Sequence, residues 1–437
     1  MTSVEAEAAS DARYAHRVGT ARLRVLDPAG RPRAGELVTV AQRAHAFGFG
    51  CTGADLLHLA GVGSEHPASD SASDPAGGAD APVVAQWLGL FDAATLPFYW
   101  ARFEPVEGEP DTARMLRAAR WFVDRGVTVK GHPLLWHTLA PSWLLGRSDA
   151  EVEDAIRRRI TRDVTQFAGL VDLWDAINEV VILPVFDKEE NAVTRLAQSR
   201  GQVETVRLAF DTARDANPAA RLVLNDFDLS EDYERLIEDC LEAGVRIDAL
   251  GLQTHMHQGF RGADAIERIL ERFARFGLPL QLTETSLVSG ELMPPEIVDL
   301  NDFRTADWPS TPEGEERQAR EAVAHYETAF AHPAVESLTY WGMTDATAWL
   351  GAPSGLVRRD GTPKPAYDAL RDLVRGAWWV PPTTVRTDDD GTVVVRGFAG
   401  RYAVTPGVAP DTAGQPRSAG ATVEVRAGES RADVVVG

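Results

Sequence analysis

Two glutamates close short apolar segments where packing alone gives no reason for a carboxylate. Glu179 ends the segment 172–179 (DLWDAINE), and Glu284 ends the segment 280–284 (LQLTE). A carboxylate at the end of a buried strand loses hydration and adds nothing to the core, so a chemical role is the simpler explanation. Two carboxylates on different strands of one barrel are what cleavage of a glycosidic bond requires. The alternative for each is a structural acid bonded to nearby backbone.

Other polar and aromatic side chains follow further apolar segments of the same kind. They are His132, Trp136, Asn178, Gln253, His255, Trp341 and Trp349. Amide and imidazole groups hydrogen-bond sugar hydroxyls, and indoles pack on the faces of sugar rings. Together with the two glutamates, these residues predict a carbohydrate-binding pocket. A buried structural histidine is the alternative for His132 and His137, core packing is expected for Trp174, and Asp226 and Asp345 suit loop caps as well.

The apolar periodicity predicts eight strands that alternate with amphipathic helices. The strands are 47–52, 88–96, 128–134, 170–178, 221–225, 248–255, 280–285 and 337–341, and the helices include 111–125, 150–169, 203–216, 232–243, 263–276 and 314–331. Eight such units favour an α/β fold of the (β/α)8 barrel type over an open doubly wound sheet, and no glycine-rich phosphate loop follows the first strand. The glutamates would then lie at the C-terminal face of the barrel, where such enzymes hold their active sites.

Three regions are predicted along the chain. Residues 1–45 form a tail and strands (21–27 and 35–42) that pack on the barrel or on a C-terminal module, 46–379 form the catalytic barrel, and 380–437 form a small β-rich, sandwich-like module with strands at 392–396, 401–405, 422–426 and 432–436. Residues 1–15 are expected to be disordered. Residues 61–82 contain almost no bulky apolar residue and are expected to form a mobile loop. A structural role suits the module better than sugar binding, because Phe398 and Tyr402 are its few aromatic residues.

Composition narrows the possible partners. The 437 residues carry 44 Lys and Arg against 65 Asp and Glu, a net charge of −21, which argues against nucleic acid and anionic membrane surfaces and suits a neutral substrate. Cys51 and Cys240 form no disulfide framework. No signal peptide or membrane span is apparent, so a cytoplasmic location is expected, or secretion if the chain is a mature form. No cofactor, metal or obligate protein partner is expected.

Six sequence blocks, in their order and spacing, resemble glycoside hydrolase family 10, the retaining β-1,4-xylanase family. They are GHPLLWH (131–137), WDAINE (174–179), ND (225–226), IDALGLQTH (247–255), TE (283–284) and YWGMTD (340–345), and the resemblance extends from about residue 47 to 379. It implies a barrel that hydrolyses β-glycosidic bonds by double displacement, with the two carboxyl groups ~5–5.5 Å apart.

The resemblance also implies roles for the individual residues. Glu179 would be the general acid/base, with a pKa raised by burial beside Trp136 or Trp174 and by the charge of Glu284, and Glu284 would be the nucleophile. Asn178 would hydrogen-bond the sugar 2-hydroxyl, and His255 would orient Glu284. The remaining substrate-binding residues would line or wall the sugar at subsite −1: His132, Trp136, Gln253, Trp341 and Trp349.

The chain departs from the family at the neighbouring subsite, −2. The family's Glu-Asn-x-x-Lys-Trp is replaced by TLPFYW at 95–100, and a Gln, a Tyr and an acid of the family are Leu139, Phe227 and Ser286 here. Apolar groups discriminate weakly among hydroxylated ligands, so a second xylose should bind less well. The sequence therefore predicts short xylo-oligosaccharides or β-glycosides with a non-sugar aglycone as substrates. The alternative is a conventional secreted endo-β-1,4-xylanase acting on polymeric xylan.

Two other classes of function are weighed. His255 and His257 alternate along an extended segment and His132 lies on a nearby strand end, so a metal-dependent barrel hydrolase is conceivable. No third ligand set completes such a site, and glutamates beside Asn178 fit sugar chemistry better. A carbohydrate-binding protein without turnover is the other alternative, and the presence of both glutamates argues against it.

Overall fold

The computed structural model describes residues 3–57, 81–407 and 420–436. The chain divides into two compact units, a smaller one formed by residues 1–49 with 366–437, and a larger one formed by residues 50–365. The sequence pattern predicted residues 366–379 as part of the barrel, whereas here they belong to the smaller unit. No helix within the described ranges is long and apolar enough to cross a membrane.

Eight parallel strands of the described chain form a closed barrel, which confirms the (β/α)8 prediction. Three strands precede it: β1 (Ser3–Glu5), β2 (Val18–Leu26) and β3 (Leu37–His45). The barrel strands are β4 (Gly48–Thr52), β5 (Ala93–Pro97), β6 (Thr128–His132), β7 (Leu173–Asn178), β8 (Arg221–Asp226), β9 (Ala249–Met256), β10 (Leu280–Leu287) and β11 (Val335–Tyr340). They neighbour one another in chain order, and β11 closes on β4.

Helices follow the barrel strands. Those of the described chain are α1 (Ala81–Leu90), α2 (Trp100–Phe103), α3 (Thr112–Val123), α4 (Asp149–Gln166), α5 (Ala192–Arg200), α6 (Gln202–Ala216), α7 (Glu231–Glu242), α8 (Ala263–Ala274), α9 (Pro312–Ala331) and α10 (Pro365–Asp372). Helix α4 shows how the sequence sets its start: the Ser148 hydroxyl accepts from the Glu151 N–H, and the Glu151 carboxylate accepts from the Ser148 N–H. This capping box satisfies backbone donors that the first turn leaves unpaired.

The predicted strand 88–96 is wrong in its first half. Residues up to Leu90 belong to α1, and the strand begins at Ala93. Trp87 and Leu90 are fully buried, so the apolar run is the core-facing side of a helix followed directly by a buried strand. Periodicity alone does not separate these two cases in a short apolar run.

The N-terminal residues differ from expectation as well. Residues 3–17 form β1 and two 3-10 turns, with Tyr14 only 1% exposed. The Tyr14 ring packs edge-on against Trp378 at 5.4 Å and Phe398 at 6.0 Å between centroids, and this burial is what orders a segment of low hydrophobicity. Of the predicted mobile loop 61–82, residues 61–80 lie outside the described residues, and 81–82 begin α1.

The smaller unit contains two four-stranded sheets that combine both ends of the chain. Its C-terminal strands are β12 (Thr383–Arg386), β13 (Thr392–Phe398), β14 (Gly400–Pro406), β15 (Ala421–Val425) and β16 (Gly428–Val435). The sheet orders are β1-β13-β2-β16 and β12-β3-β14-β15, so the N-terminal strands pair with the C-terminal module. Phe398 and Tyr402 are buried, and neither presents a ring to a sugar.

Candidate active site

Backbone irregularities mark the position of both glutamates. The pairing of β7 with β8 shifts register between Asp175 and Ile177, and the pairing of β10 with β9 shifts between Leu282 and Glu284. Such bulges redirect side chains and are common beside active sites. Glu179 itself has a positive φ of 59°, which is unfavourable for a residue with a Cβ. The surroundings therefore hold the Glu179 side chain in a direction that regular strand geometry would not give.

Three amide side chains connect the two carboxyl groups. Asn225 Nδ2 donates to Glu284 Oε1 at 3.1 Å and to Asn178 Oδ1 at 2.7 Å. Gln253 Nε2 donates to the same Asn178 oxygen at 3.1 Å and to Glu179 Oε1 at 3.3 Å. The site residues of strands β7, β9 and β10 are thus assembled into one network. Asn225 was not among the predicted site residues, although its position at the end of β8 was a usable signal.

Glu179 lies in surroundings that favour its protonated form. Burial, and then the charge of Glu284, raise its pKa to about 8, although hydrogen bonds from Trp136 and Gln253 oppose the rise. Trp136 Nε1 donates to Glu179 Oε2 at 2.8 Å. Trp174, the other indole considered for this role, is fully buried and donates to the Val171 carbonyl, as expected of a core residue. Glu179 can therefore carry a proton near neutral pH.

Glu284 is surrounded by nitrogen atoms. Besides Asn225, His255 Nε2 lies 3.3 Å from Glu284 Oε2, and His132 Nε2 lies 3.9 Å from Oε1. The other ring nitrogen of His255 lies 2.9 Å from the Ser286 hydroxyl, which fixes the orientation of the imidazole. These contacts hold the carboxyl group in one orientation, as a nucleophile requires.

His132 is connected to a buried ion pair inside the barrel. Its Nδ1 lies 2.7 Å from Asp175 Oδ2, and Lys130 Nζ lies 2.6 Å from Asp175 Oδ1. Burial alone would raise the pKa of Asp175, but the Lys130 charge and the His132 contact lower it on balance, so Asp175 is ionised and Nδ1 of His132 carries its hydrogen. Nε2 of His132 then faces the site. Lys130 was missed in the sequence, where a lysine within an apolar strand was the available signal.

Aromatic rings line the side of the site next to β11. Trp341 lies edge-on to His132, with ring centroids 5.3 Å apart, and Trp349 lies 4.9 Å from His255. Both indoles are partly exposed. They form a wall beside the carboxyl groups on which a sugar ring can pack.

Tyr99 adds a second aromatic surface and was not among the predicted site residues. Its ring lies 5.8 Å from His132 and 5.7 Å from Trp136. Trp100, the one residue kept from the family's −2 motif, is 2% exposed and donates to Glu104, so it belongs to the core. Since these adjacent residues after β5 point in different directions, only the structure distinguishes Tyr99 from Trp100.

The remaining candidates are structural. His137 is buried, its Nε2 is 3.9 Å from Glu179 Oε2, and burial lowers its pKa to about 3, so it is neutral. Asp226 accepts from the N–H groups of Val181 and Asp228, as a loop cap does, while burial raises its pKa to about 7.

His257 does not form a metal site with His255. Its ring is 1% exposed, lies 5.3 Å from the Trp349 ring, and has no hydrogen-bond partner among the described residues. Across residues 3–57, 81–407 and 420–436, no group of three His, Cys, Asp or Glu side chains is arranged to hold a metal ion. Nε2 of His255 is occupied by Glu284.

Comparison with known proteins decides the family. Residues 98–373, more than half of the chain, match glycosyl hydrolase family 10. The chain belongs to this family. Endo-1,4-beta-xylanase B of Thermotoga neapolitana is 28% identical over 288 residues, which are 62% of this chain and 74% of the relative. A family 10 member is a glycosidase, and this chain is a retaining β-glycoside hydrolase of xylanase type.

Solved structures agree on the fold. The GH10 structure from Paenibacillus barcinonensis has a TM-score of 0.60 at 24% identity and covers 75% of this chain and 95% of its own. Xylanase 10B from Thermotoga petrophila RKU-1, solved in complex with xylobiose, has a TM-score of 0.58 at 22% identity and covers 75% and 93%. At this level of identity both comparisons support the barrel architecture.

Three residues that the sequence analysis interpreted as departures from the family are Leu139, Phe227 and Ser286. Ser286 gives His255 a neutral hydroxyl partner. Phe227, directly after β8, is 43% exposed, so its apolar ring faces solvent. Leu139 has a positive φ of 57°, and its N–H donates to Glu189 Oε1 at 3.3 Å. Leu139 and Phe227 thus carry no polar side-chain group, whereas Ser286 contributes a hydroxyl.

Proposed function

We propose that this family 10 glycosidase hydrolyses β-1,4-xylosidic or related β-glycosidic bonds in short oligosaccharides or in glycosides with a non-sugar aglycone. The observation that carries the proposal is the contrast between the two carboxyl groups. Glu179 has a pKa raised to about 8, whereas Glu284 is positioned by contacts with Asn225 and His255. Titratable groups with contrasting environments identify an acid and a nucleophile.

In the first step Glu284 attacks the anomeric carbon of the sugar. The bond from that carbon to the leaving oxygen breaks, and Glu179 gives its proton to that oxygen. A glycosyl ester of Glu284 forms, and Glu179 is left ionised. Nδ2 of Asn178, whose side-chain oxygen already accepts from Asn225 and Gln253, is available to a sugar hydroxyl.

In the second step the ionised Glu179 takes a proton from water, and the oxygen of that water attacks the anomeric carbon. The ester bond to Glu284 breaks, which restores both carboxyl groups and releases a sugar of retained configuration. Because Glu179 acts as acid and then as base, its pKa near neutral serves both steps.

The preference for short substrates rests on the rebuilt surroundings of the site. Trp100 is in the core, and Leu139 and Phe227 offer no polar side-chain groups, so few contacts recognise a second xylose. Xylanase 10B from Thermotoga petrophila was solved with xylobiose, and we infer that xylo-oligosaccharides also bind here. The rival function is that of a conventional endo-xylanase on polymeric xylan.

A panel of substrates tests the proposal. The full chain is assayed on aryl β-xyloside, β-glucoside and β-arabinoside, on xylobiose and on insoluble xylan, beside Glu284→Ala and the exposed control Glu313→Ala. We expect turnover of at least one aryl glycoside and of xylobiose, its loss in Glu284→Ala, and no change in Glu313→Ala. Rapid release of mid-sized oligomers from xylan would instead establish the endo-xylanase.

A further inference from the structure

A segment of the loop between β10 and α9 extends toward the loops of other strands. We call residues 294–302 the strap. At its start, Gln258 Nε2, in the loop after β9, donates to the carbonyl groups of Pro294 at 2.9 Å and Ile297 at 2.7 Å. The strap is thereby fixed to the neighbouring loop on the β9 side.

The far end of the strap is bonded to the loop after β7, residues 179–191. Lys188 Nζ contacts both oxygens of Asp302, at 2.9 and 2.7 Å, and lies 3.6 Å from Asp299 Oδ2. The Lys188 side chain is 49% exposed, and those of Asp299 and Asp302 are 31% and 55% exposed. Lys188 is therefore the connection between two loops that are more than a hundred residues apart in sequence.

The strap is supported from below by an apolar cluster. Ile297 and Leu300 pack against the buried residues Val288, Met293, Trp308 and Ala352. Val298, by contrast, is 98% exposed. The strap is thus a folded element with a packed underside, and its connection to Lys188 lies at the solvent surface.

The path of this connection follows from the strand order. Strands β7 and β10 are separated on one side by β8 and β9. A link between the loops of β7 and β10 therefore passes across the ends of β8 and β9. Glu179 follows β7 and Glu284 lies in β10, so the same two strands carry both carboxyl groups.

The two carboxyl groups of a retaining glycosidase flank the scissile bond. The substrate therefore passes between them, roughly perpendicular to the line from one carboxyl group to the other. In that orientation one arm of the substrate would extend over β8 and β9, and the other would extend toward the rings of Trp341 and Tyr99, which lie beside His132. The aromatic arm holds the sugar under the proposed function. The leaving group then extends over β8 and β9, where Phe227 is exposed.

We infer that the strap and Lys188 form a bar across the leaving-group arm and set the length of substrate that the enzyme accepts. The inference rests on the proposed function. A single sugar or an aryl aglycone ends before the bar, whereas a long oligosaccharide needs the Lys188 connection to open. The exposed apolar side chains Phe227 and Val185 in the neighbouring loops favour an apolar aglycone over a hydroxylated one.

The bar should respond to salt, because ion pairs between half-exposed side chains are weak and are screened by counter-ions. The screening length falls from about 10 Å at 0.1 M salt to about 3 Å at 1 M. Raising the salt concentration should therefore open the bar in the wild-type chain.

The test compares kcat/KM for xylohexaose with kcat/KM for aryl β-xyloside. In Lys188→Gln, and separately in Asp299→Asn with Asp302→Asn, we expect this ratio to rise about 5-fold, the effect that an exposed ion pair can supply. The aryl xyloside value should not change. Arg235→Gln, which removes an exposed ion pair on α7, is the matched control. Reversing the pair, Lys188→Asp with Asp302→Lys, should restore the wild-type ratio.

Salt and binding give independent readouts. The wild-type ratio should rise between about 0.1 and 1 M NaCl, and that of Lys188→Gln should stay constant. In a Glu284→Gln background, which needs no turnover, Lys188→Gln should tighten binding of xylohexaose and leave that of xylobiose unchanged. If Lys188→Gln changes neither the kcat/KM ratio nor the affinity for xylohexaose, the inference about the bar is wrong. The proposed function is not affected by that result. Loss of hydrolysis of every β-glycoside would overturn the proposed function alone, since the binding comparison still measures the bar.

Discussion

At the scale of single residues, the two glutamates are chemically identical and differ only in their surroundings. Glu179 is partly buried beside Trp136 and lies near another carboxyl group, whereas Glu284 faces Asn225 and His255. The same side chain is therefore suited to act as an acid in one position and as a nucleophile in the other.

The pH dependence of activity should follow Glu179. Because the pKa of this group is raised to about 8, the protonated acid persists through neutral pH and is lost as the pH rises through that value. We expect kcat/KM on aryl β-xyloside to fall on the alkaline side near pH 8. Glu179→Gln should lower kcat/KM by about 10²–10⁴-fold and abolish this alkaline limb. An alkaline limb that survives in Glu179→Gln would assign the acid to another group.

The buried pair of Lys130 and Asp175 should matter for stability. Lys130→Met leaves the Asp175 carboxylate buried without its cation, so we expect a loss of about 3–5 kcal/mol in the free energy of unfolding at neutral pH. Lys130 lowers the pKa of Asp175 in the folded chain. The pair therefore stabilises the fold fully at pH values above the ordinary pKa of an aspartate, and this stabilisation is lost as the pH falls from that value through the lower pKa of the folded state. Urea unfolding measures the change. Half-exposed Lys188→Met is the control and should cost less than about 1 kcal/mol, and equal losses in both variants would contradict this account.

At the scale of the elements, strand backbones set the positions of the amides. Gly251 in β9 lies against the Asn225 side chain, so closely that a Cβ there would collide with Asn225 Oδ1. Asn225 in turn bonds Glu284 and Asn178. The absence of a side chain at Gly251 is therefore a requirement of the active site as well as of packing.

Gly251→Ala should impair catalysis without changing either glutamate. A displaced Asn225 no longer fixes Glu284, and misplacement of a reacting group by about 1 Å costs about 10²-fold in rate. We expect kcat to fall by that order. Gly146→Ala is the matched control, because a Cβ at Gly146 would meet no other atom within 4 Å. Full activity in Gly251→Ala would show that Asn225 is not needed.

The sequence predicted the positions of most barrel strands but not their irregularities. The positions of strands such as β7 and β10 were predicted within a few residues. In each of them a run of mainly apolar residues ends at polar side chains, and this pattern marks the end of the strand. The bulges at Asp175 and Glu284 were not predicted, since register depends on the neighbouring strand. Tyr99 was missed because its partners lie on or after another strand. Lys130 stands out locally as a lysine within an apolar strand, but its partner Asp175 lies on another strand, so the sequence did not indicate its role.

At the scale of the whole molecule, both chain ends contribute to one small unit. Strand β2 pairs with β13 and β16, and β3 pairs with β12 and β14. The sequence indicated a module at residues 380–437 and left open where strands 21–27 and 35–42 belong. Long-range pairing across almost the entire chain is what the sequence pattern could not decide.

Removal of the C-terminal strands should therefore make the chain insoluble. A chain that ends at residue 379 keeps β2 and β3 but lacks the strands β12 to β16 that pair with them. Exposed strand edges pair with other chains. We expect this truncated chain to aggregate in sedimentation, whereas the full chain stays soluble. A soluble, active truncation would show that strands β12 to β16 are dispensable.

The central claim is that Glu284 forms a covalent bond to the sugar while Glu179 supplies the proton. Incubation with an aryl 2-deoxy-2-fluoro-β-xyloside, followed by mass spectrometry of the intact chain and of its peptides, tests it most directly. We expect one sugar adduct per chain, located on Glu284 and absent from Glu284→Gln. An adduct on a different residue, or turnover of this compound that yields a sugar of inverted configuration, would contradict it.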